Sequence, residues 1–268
     1  MIDHLSASSI EQFLRCSWQW KLQRVDNLPR GASWTMLAGS IVHEVAAWNF
    51  LNKVESKKDL PVAQLLEYAQ KISRKKIDET PRWHTTPGEK HDADLKALAK
   101  RVDVCVKLFA ESVAPFIQPI EAGIEKKLAI PAGDGFPKIL CILDCIDVHG
   151  TIHDFKTTSK SPSVDKVSSE IHHDIQPTAY GLAYRLAFGK DPAEFRFHFM
   201  VDKSIPIVIP AATHRRAISY VAFLRRAQQV WKAHEAGVYL PAEKGWGCSE
   251  EYCYYALTGA CEFFVKYH

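Results

Sequence analysis

Two acidic residues and a lysine lie near the middle of the chain in apolar surroundings. Asp144 interrupts the apolar run Leu-Cys-Ile-Leu-Asp-Cys-Ile at 140–146, and ten positions later the chain reads Asp154-Phe155-Lys156. A charge inside an apolar strand costs free energy unless it is paired or bound to a metal ion. Alternation along a strand places Asp154 and Lys156 on one face. We therefore expect Asp144 and Asp154 to meet around one divalent cation, with the Lys156 ammonium beside it.

These residue types suit the hydrolysis of a phosphodiester. Carboxylate oxygens are the ligands that Mg²⁺ and Mn²⁺ prefer in proteins. Such a cation produces hydroxide near neutral pH and neutralises developing negative charge, and an ammonium stabilises the same transition state or orients the attacking water. An Asp-x-Lys triplet is also typical of a surface salt bridge. Asp147 is a rival to Asp144, although its spacing to Asp154 is poorer.

Neighbouring strands must bring these residues together. His149-Gly150 is a turn signal between two strand-like runs, and it predicts a hairpin between strands at 138–148 and 151–156. Another strand is predicted at 123–130, before the hairpin, and two more are predicted after it, at 195–201 and 205–209. The tail from Pro241 onward is predicted to be irregular.

Helical periodicity predicts most of the remaining chain. Ser6–Ser9 stand before Ile10, Phe13, Leu14 and Trp18, which predicts a capped helix. Pro177 is compatible with its helix only in the first turn, and 81–89 is predicted to be a loop. The other predicted helices are 35–51, 60–77, 92–114, 171–188 and 214–236. Helices, three strands, a helix, two strands and a helix together predict a mixed α/β domain.

Composition limits the class of protein without identifying it. The 268 residues are 47% hydrophobic and 24% charged, as in an ordinary globular domain. No apolar run approaches the ~18 residues of a membrane span, and the first residues do not resemble a signal peptide, so we expect a soluble, cytoplasmic protein without a membrane partner.

The net charge of +3 does not by itself indicate nucleic-acid binding. A binding surface would need local basic clusters such as 71–76 or the helix carrying Arg215, Arg216, Arg225 and Arg226. Taken alone, either cluster is more typical of a solvated helix face.

Three further motifs accompany Asp144 and the Asp-x-Lys triplet. They are Ser-Ala-Ser-Ser-Ile-Glu-Gln-Phe-Leu-Arg-Cys at 6–16, Gly-Ser-Ile-Val-His-Glu at 39–44 and Gln-Pro-Thr-Ala-Tyr at 176–180. In this order the motifs resemble the RecB-like branch of the PD-(D/E)xK nuclease superfamily, which includes phage exonucleases and CRISPR adaptation nucleases. The resemblance runs from about residue 5 to 261, and 52–120 carries no motif.

The resemblance implies a role for each motif residue. Asp144, Asp154, the Phe155 carbonyl and His43 would be metal ligands, and Lys156 would be the catalytic lysine. Gln176 and Tyr180 would orient Lys156 or contact a DNA phosphate, since residues four apart share a helix face. Glu125 would be a marginal additional ligand.

Structural alternatives exist for these assignments. His43 could be a hydrogen-bonded structural histidine, Gln176 and Tyr180 could serve helix packing, and Glu125 could pair with a surface lysine.

Four of the seven cysteines suggest a second metal group. Cys16 lies near the start of the chain, and Cys248, Cys253 and Cys261 lie near its end. In several RecB-like nucleases one such cysteine and a terminal trio hold a [4Fe–4S] cluster, which requires four thiolates. The spacing here is wider than the commoner family pattern and resembles a phage-like variant. Zinc on the same thiolates and unligated cysteines are the alternatives.

The resemblance implies a restriction-endonuclease-like core and a single nuclease domain. Within it, 1–120 would be mainly helical, 121–240 the α/β core and 241–268 a Cys-rich tail packed on the N-terminus. The implied activity is that of a Mg²⁺- or Mn²⁺-dependent deoxyribonuclease, an exonuclease on single-stranded or end-bearing DNA. It would act in recombination, repair, or phage or CRISPR DNA processing, in the cytoplasm of a bacterial or phage-infected cell.

A second class of function stays open. The chain could be a non-catalytic DNA-binding or assembly subunit of a larger recombination or CRISPR complex. No Gly-x-x-x-x-Gly-Lys-Ser/Thr loop occurs, so a helicase partner would be a separate protein.

Overall fold

A computed structural model describes residues 2–80, 91–160, 174–242, 247–250 and 252–264. The strands are β1 (His4–Ser6), β2 (Pro119–Ile130), β3 (Lys138–Asp147), β4 (Ile152–Thr158), β5 (Phe195–Val201) and β6 (Ile207–Thr213). The helices are α1 (Ala7–Arg15), α2 (Ser17–Arg24), α3 (Trp34–Ser56), α4 (Val62–Asp78), α5 (His91–Ser112), α6 (Ile175–Phe188), α7 (Ala217–Glu235) and α8 (Tyr254–Leu257), with a 3₁₀ turn at Ala114–Phe116.

The six strands form one mixed sheet. Its order is β1-β3-β4-β5-β6, and β2 pairs with β3 outside this path. The pairs β1/β3 and β4/β5 are parallel, whereas β2/β3, β3/β4 and β5/β6 are antiparallel. The predicted mixed α/β class is therefore confirmed.

The sheet opens into a fork between β3 and β4. These strands are paired at Cys145↔His153 and Ile146↔Ile152. Beyond that point β1 pairs with β3 over Lys138–Leu140. Because β2 runs along one edge of β3, β1 and β4 must share the other edge. β3 and β4 therefore diverge at Asp144, next to Cys145, which is the last residue of β3 that pairs with β4.

Each face of the sheet packs against its own group of helices. One apolar cluster joins the strands to α1, α6 and α7 through Ile10, Ala179, Leu182, Tyr220 and Phe223. The other joins them to α3, α4 and α5 through Ile41, Phe50, Leu65, Val106 and Phe109. Helices on both sides explain why β4 is buried from Ile152 to Phe155. None of the described helices is long and apolar enough to cross a membrane.

Several predicted boundaries are wrong near the N-terminus. The first predicted helix is two helices, because Cys16 adopts an extended backbone with φ −159° and its Sγ accepts a hydrogen bond from Gln19 N at the start of α2. The short strand β1 was not predicted, since three residues are too few to show a periodicity.

Later boundaries also differ from the prediction. The strand predicted at 205–209 is β6, Ile207–Thr213, which tolerates Pro210 at the edge of the sheet. The predicted irregular tail contains α8. Pro177 lies in the first turn of α6, as its chemistry requires. The predicted loop at 81–89 and the predicted helical residues 171–173 lie outside the described residues.

Candidate metal centre

Helix α3 presents His43 to the fork. The Ser33 side chain accepts a hydrogen bond from Met36 N and caps the helix. Ile41 and Val45 are fully buried against the sheet and the neighbouring helices. The buried Ile41 and Val45 hold α3 against the sheet. His43 lies between them in sequence and remains partly exposed at the edge of this apolar cluster.

His43, Asp144 and Phe155 contact one another across the fork. Asp144 Oδ2 accepts a hydrogen bond from Phe155 N at 3.0 Å and lies 3.2 Å from His43 Nδ1. His43 Nε2 lies 2.6 Å from the Phe155 carbonyl oxygen. The Asp144 side chain thus replaces a backbone hydrogen bond of the sheet where β3 and β4 separate. The His43 ring, the Asp144 carboxylate and the Phe155 carbonyl are three potential metal ligands that lie together at this point.

Glu125 joins this group through a distorted backbone. Its φ is +47°, in the left-handed region, and the β2/β3 pairing shifts register between Pro119 and Ile124. Ligand atoms of Glu125, His43 and Asp144 all lie within 4.8 Å of one another. A left-handed conformation costs a non-glycine residue ~1–2 kcal/mol, and such strain concentrates at functional sites.

Asp154 and Lys156 lie on the α6 side of β4, as alternation predicts. Lys156 Nζ lies 2.8 Å from Asp154 Oδ2 and donates to Gln176 Oε1 at 2.9 Å. Gln176 Nε2 donates to Asp154 Oδ1 at 2.5 Å. Asp174 caps α6 by accepting from Gln176 N, so the helix start holds Gln176 in place. These contacts close a triangle of Asp154, Lys156 and Gln176.

The charges of the site are unbalanced. Burial would lower the pKa of His43, but the adjacent Asp144 carboxylate raises it to about 9. Burial raises the pKa of Asp154 to about 6 against the opposing effect of Lys156. Burial and the Asp144 carboxylate raise the pKa of Glu125. A cation beside Asp154 and Glu125 would offset the effect of burial and favour their ionised forms.

The donor set fits a hard divalent cation. Carboxylate and carbonyl oxygens are typical Mg²⁺ and Mn²⁺ ligands, and the His43 imidazole would add one nitrogen to this oxygen set. Asp154 Oδ2 is buried and accepts no hydrogen bond of suitable geometry within the described residues, although Lys156 Nζ is close. This oxygen and the group of His43, Glu125 and Asp144 are therefore available to a cation.

Comparison with known proteins assigns the family. The model of the PD-(D/E)XK nuclease superfamily matches residues 4–258. The chain belongs to the PD-(D/E)XK nuclease superfamily. Its central mixed sheet flanked by helices is the fold of this superfamily, whose members are metal-dependent nucleases. No curated protein matches the chain significantly.

A solved structure agrees with this assignment at the level of the fold. A crystal structure from Eubacterium rectale, described as a "putative exonuclease", is similar with a TM-score of 0.57 and 14% identity over 92% of this chain and 87% of that one. The crystal structure of SSO0001 covers 96% of both chains at 12% identity, but its TM-score of 0.37 is too low to support an argument.

The sequence left open the roles of two residues of this nuclease, Tyr180 and Asp147. Tyr180 lies one turn along α6 from Gln176, and burial, followed by the Asp154 and Asp144 charges, raises its pKa. Asp147, the rival to Asp144, lies in the hairpin turn, where its Oδ1 accepts from His149 N and Thr151 N. Asp147 is thus engaged in the turn and lies outside the group of metal donors formed by His43, Glu125 and Asp144.

Sequence reasoning missed a carboxyl pair beside Lys156. Glu11 on α1 lies next to Asp174, and burial together with the Asp174 charge raises the Glu11 pKa to about 7, against the lowering effect of Lys156. The available signal was the position of Glu11 inside the N-terminal motif. This pair places α1 at the lysine side of the site.

The four candidate cluster cysteines of the nuclease meet at one place. Cys16, Cys248, Cys253 and Cys261 all line one cavity. Gln19 contributes two contacts, from its backbone N to Cys16 Sγ at 3.4 Å and from Nε2 to Cys253 Sγ at 3.5 Å. All seven cysteines are free of disulfides. The two ends of the described chain therefore converge on four thiols.

Proposed function

We propose that this nuclease is a Mg²⁺- or Mn²⁺-dependent deoxyribonuclease that acts on single-stranded or end-bearing DNA. The observation that carries the proposal is the position of two contacting pairs, His43–Asp144 and Asp154–Lys156, at the strand fork, where the Asp144 and Asp154 charges are close enough to interact. Recombination, repair, or phage or CRISPR DNA processing would use such an activity, with any helicase supplied by a partner protein.

His43, Glu125, Asp144, Asp154 and the Phe155 carbonyl would hold the cation. When bound there, it would supply hydroxide near neutral pH and neutralise charge on the scissile phosphate. The protein contributes the geometry. The hydrogen bond from Phe155 N orients Asp144, and the burial of Asp154, which is 1% exposed, keeps bulk water from competing for its oxygens.

Lys156 would act as a charge and not as a base. Burial alone would lower its pKa, but Asp154 outweighs this effect and raises it. Lys156 therefore stays an ammonium at neutral pH and can donate to a phosphate oxygen or to the attacking water. Gln176 bridges Lys156 and Asp154, which would orient the ammonium, and Tyr180 would support Gln176 from the next turn of α6.

We also propose that Cys16, Cys248, Cys253 and Cys261 hold a [4Fe–4S] cluster. Four thiolates around one cavity are the required ligand set. Burial and the neighbouring Cys16 and Cys253 thiols raise the pKa of Cys248, so four adjacent thiolates need a positively charged group between them. Zinc on the same thiols is the alternative, and metal analysis distinguishes the two.

The nuclease proposal is tested with end-labelled single- and double-stranded DNA and Mn²⁺. We expect wild-type protein to degrade the DNA, and Lys156→Ala and Asp154→Asn to lower the rate by about 100-fold or more, as expected when one electrostatic stabiliser is lost. Lys190→Ala, an exposed lysine beyond α6, should retain the rate and serves as the matched control.

Two outcomes would contradict the nuclease proposal. Equal degradation by wild-type protein and Lys156→Ala would indicate a contaminating nuclease. DNA binding by a metal-loaded wild-type protein without cleavage would favour the non-catalytic subunit.

A further inference from the structure

One face of the β2/β3 hairpin lies open beside the metal donor group. Leu140 and Ile142 on β3 are 38% and 43% exposed. Their cross-strand partners on β2, Ala129 and Lys127, are exposed as well. These four residues are called the hairpin platform below.

The pleat of β3 explains the exposure of the platform. Ile139, Cys141 and Leu143 point into the apolar cluster with α1, α6 and α7. Leu140 and Ile142 therefore point to the opposite face, and neither they nor their partners belong to the apolar clusters formed by the described residues. The two exposed apolar side chains give this face a short apolar strip that the flat face of a base can contact.

The platform is continuous with the metal donor group. Ile142 lies two residues before Asp144 on β3, and Lys127 lies two residues after Glu125 on β2. The Lys127 ammonium is close enough to affect Glu125, whose pKa is raised by burial and Asp144 and lowered by His43 and Lys127. A nucleic-acid strand that is bound with one phosphate at the cation would place its next nucleotide at Lys127 and Ile142.

We propose that the hairpin platform binds the unpaired DNA strand next to the scissile phosphate, with bases against Ile142 and Leu140 and a phosphate on Lys127. This inference rests on the proposed nuclease function and specifies its substrate as single-stranded DNA. The lysine charge complements the phosphate backbone, and apolar side chains accept the flat face of any base.

Spacing favours a single strand over a duplex. Successive side-chain pairs on the same face of the hairpin are two residues apart. They therefore lie about 6.8 Å apart, since each residue of an antiparallel strand advances about 3.4 Å. That is about twice the 3.4 Å rise per base in a stacked duplex strand. A strand that places one nucleotide on each platform pair must therefore be unstacked. Its bases are then free to contact Ile142 and Leu140. A paired duplex buries these base faces.

The test compares Lys127→Ala and Ile142→Ser with matched controls. Lys126→Ala removes the adjacent lysine, whose partner Leu143 lies on the other face, and Leu186→Ser removes an exposed leucine on α6. Mn²⁺-dependent cleavage is measured on a labelled 12-nucleotide single strand and on bis(p-nitrophenyl) phosphate, which is too small to reach the platform. Binding of the 12-mer is measured separately by fluorescence anisotropy.

We expect each platform variant to raise the KM and the Kd for the 12-mer about tenfold, which is within the range of one lost base or phosphate contact. Hydrolysis of the small diester should change less than twofold. Platform variants that match Lys126→Ala and Leu186→Ser in both assays would overturn the proposal. Wild-type protein that binds the 12-mer through the platform but cleaves neither substrate would instead overturn the nuclease function.

Discussion

At the residue scale, His153 links two buried polar groups behind the site. Its Nε2 lies 3.1 Å from Asp147 Oδ2, and its Nδ1 lies 2.9 Å from His198 Nε2. If Asp147 is ionised, Nε2 of His153 donates to it, and Nδ1 is left to accept from His198. The His198 ring packs 5.7 Å from that of Phe155, whose carbonyl is a candidate ligand. This chain of contacts braces β4 from the face opposite Lys156.

We predict that His198 makes the fold sensitive to acid. Burial, followed by the charges of His153 and Arg196, lowers the pKa of His198 from 6.5 to about 3. The unfolded chain therefore binds more protons below pH 6.5, and stability falls as pH decreases towards 3. Between pH 7.5 and 5 the loss from this residue should reach about 2 kcal/mol.

Urea unfolding at several pH values measures this effect. His198→Gln should lose less stability on acidification than wild-type protein, whereas His214→Gln, which removes an exposed histidine, should match the wild-type slope. The comparison of variants is needed because Glu11 and Asp154 have raised pKa values and change stability in the opposite direction. Parallel slopes for all three proteins would refute the role given to His198.

Individual residues differ in how well the sequence predicts them. A charge in an apolar strand and an alternating Asp-x-Lys triplet predict that Asp144, Asp154 and Lys156 share one site, because a buried charge needs a partner. Glu125 could be named only as marginal, since its approach to Asp144 depends on a positive φ that no local pattern shows. His153 and His198 meet only because β4 and β5 pair in one register.

At the element scale, the contact of β2 with β3 allows no side chain at Gly123. A Cβ there would lie 2.6 Å from Ile120 Cγ1 and 2.9 Å from the Ile146 carbonyl oxygen. Gly123→Ala should therefore push the strands apart and lower the free energy of unfolding by about 1–3 kcal/mol. Because Gly123 precedes Glu125 by two residues, we also expect weaker Mn²⁺ binding, measured by calorimetry.

Gly39 on α3 is the matched comparison for Gly123. A Cβ at Gly39 would meet only Thr157 Oγ1, at 3.6 Å. Gly39→Ala should raise stability by about 0.5–1 kcal/mol, the usual gain in a helix interior. If both alanine variants unfold at the same denaturant concentration, the close β2/β3 contact is not what requires glycine at position 123.

Elements with a strong periodic pattern are the ones that the sequence predicts well. The predicted helix at 35–51 is α3, and the predicted strand at 138–148 is β3. The fork is different, because it depends on β1 taking the β3 edge that β4 leaves. A three-residue parallel strand far from its partner in sequence has no local signature.

At the scale of the whole molecule, the four candidate cluster cysteines bring the two ends of the described chain together. Trp18 and Leu22 on α2 pack with Cys253, Tyr255 and the rest of a small apolar cluster. This cluster is separate from the two main cores, so little apolar burial holds the described part of the tail. A metal group on Cys16 and Cys261 would close a loop of most of the chain, which makes it a long-range cross-link.

Single and double substitutions test this connection. We expect anaerobically purified wild-type protein to contain about four iron ions per chain and to absorb near about 400 nm. Cys16→Ser and Cys261→Ser should each abolish the absorption and lower the free energy of unfolding by about 2–5 kcal/mol, the range for losing one long-range cross-link. Because either change already removes the cluster, the double variant should lose little more than one single variant does.

Cys105 supplies the control, since it is buried in the apolar cluster around α3, α4 and α5, does not line the cavity, and has a thiol whose pKa burial raises to about 12. Cys105→Ala should lose stability through packing and yet keep the absorption. One zinc ion per chain with no colour would assign the same thiols to zinc. Additive losses in the double variant, together with rapid alkylation of all four thiols in the native protein, would show that no metal joins the two ends.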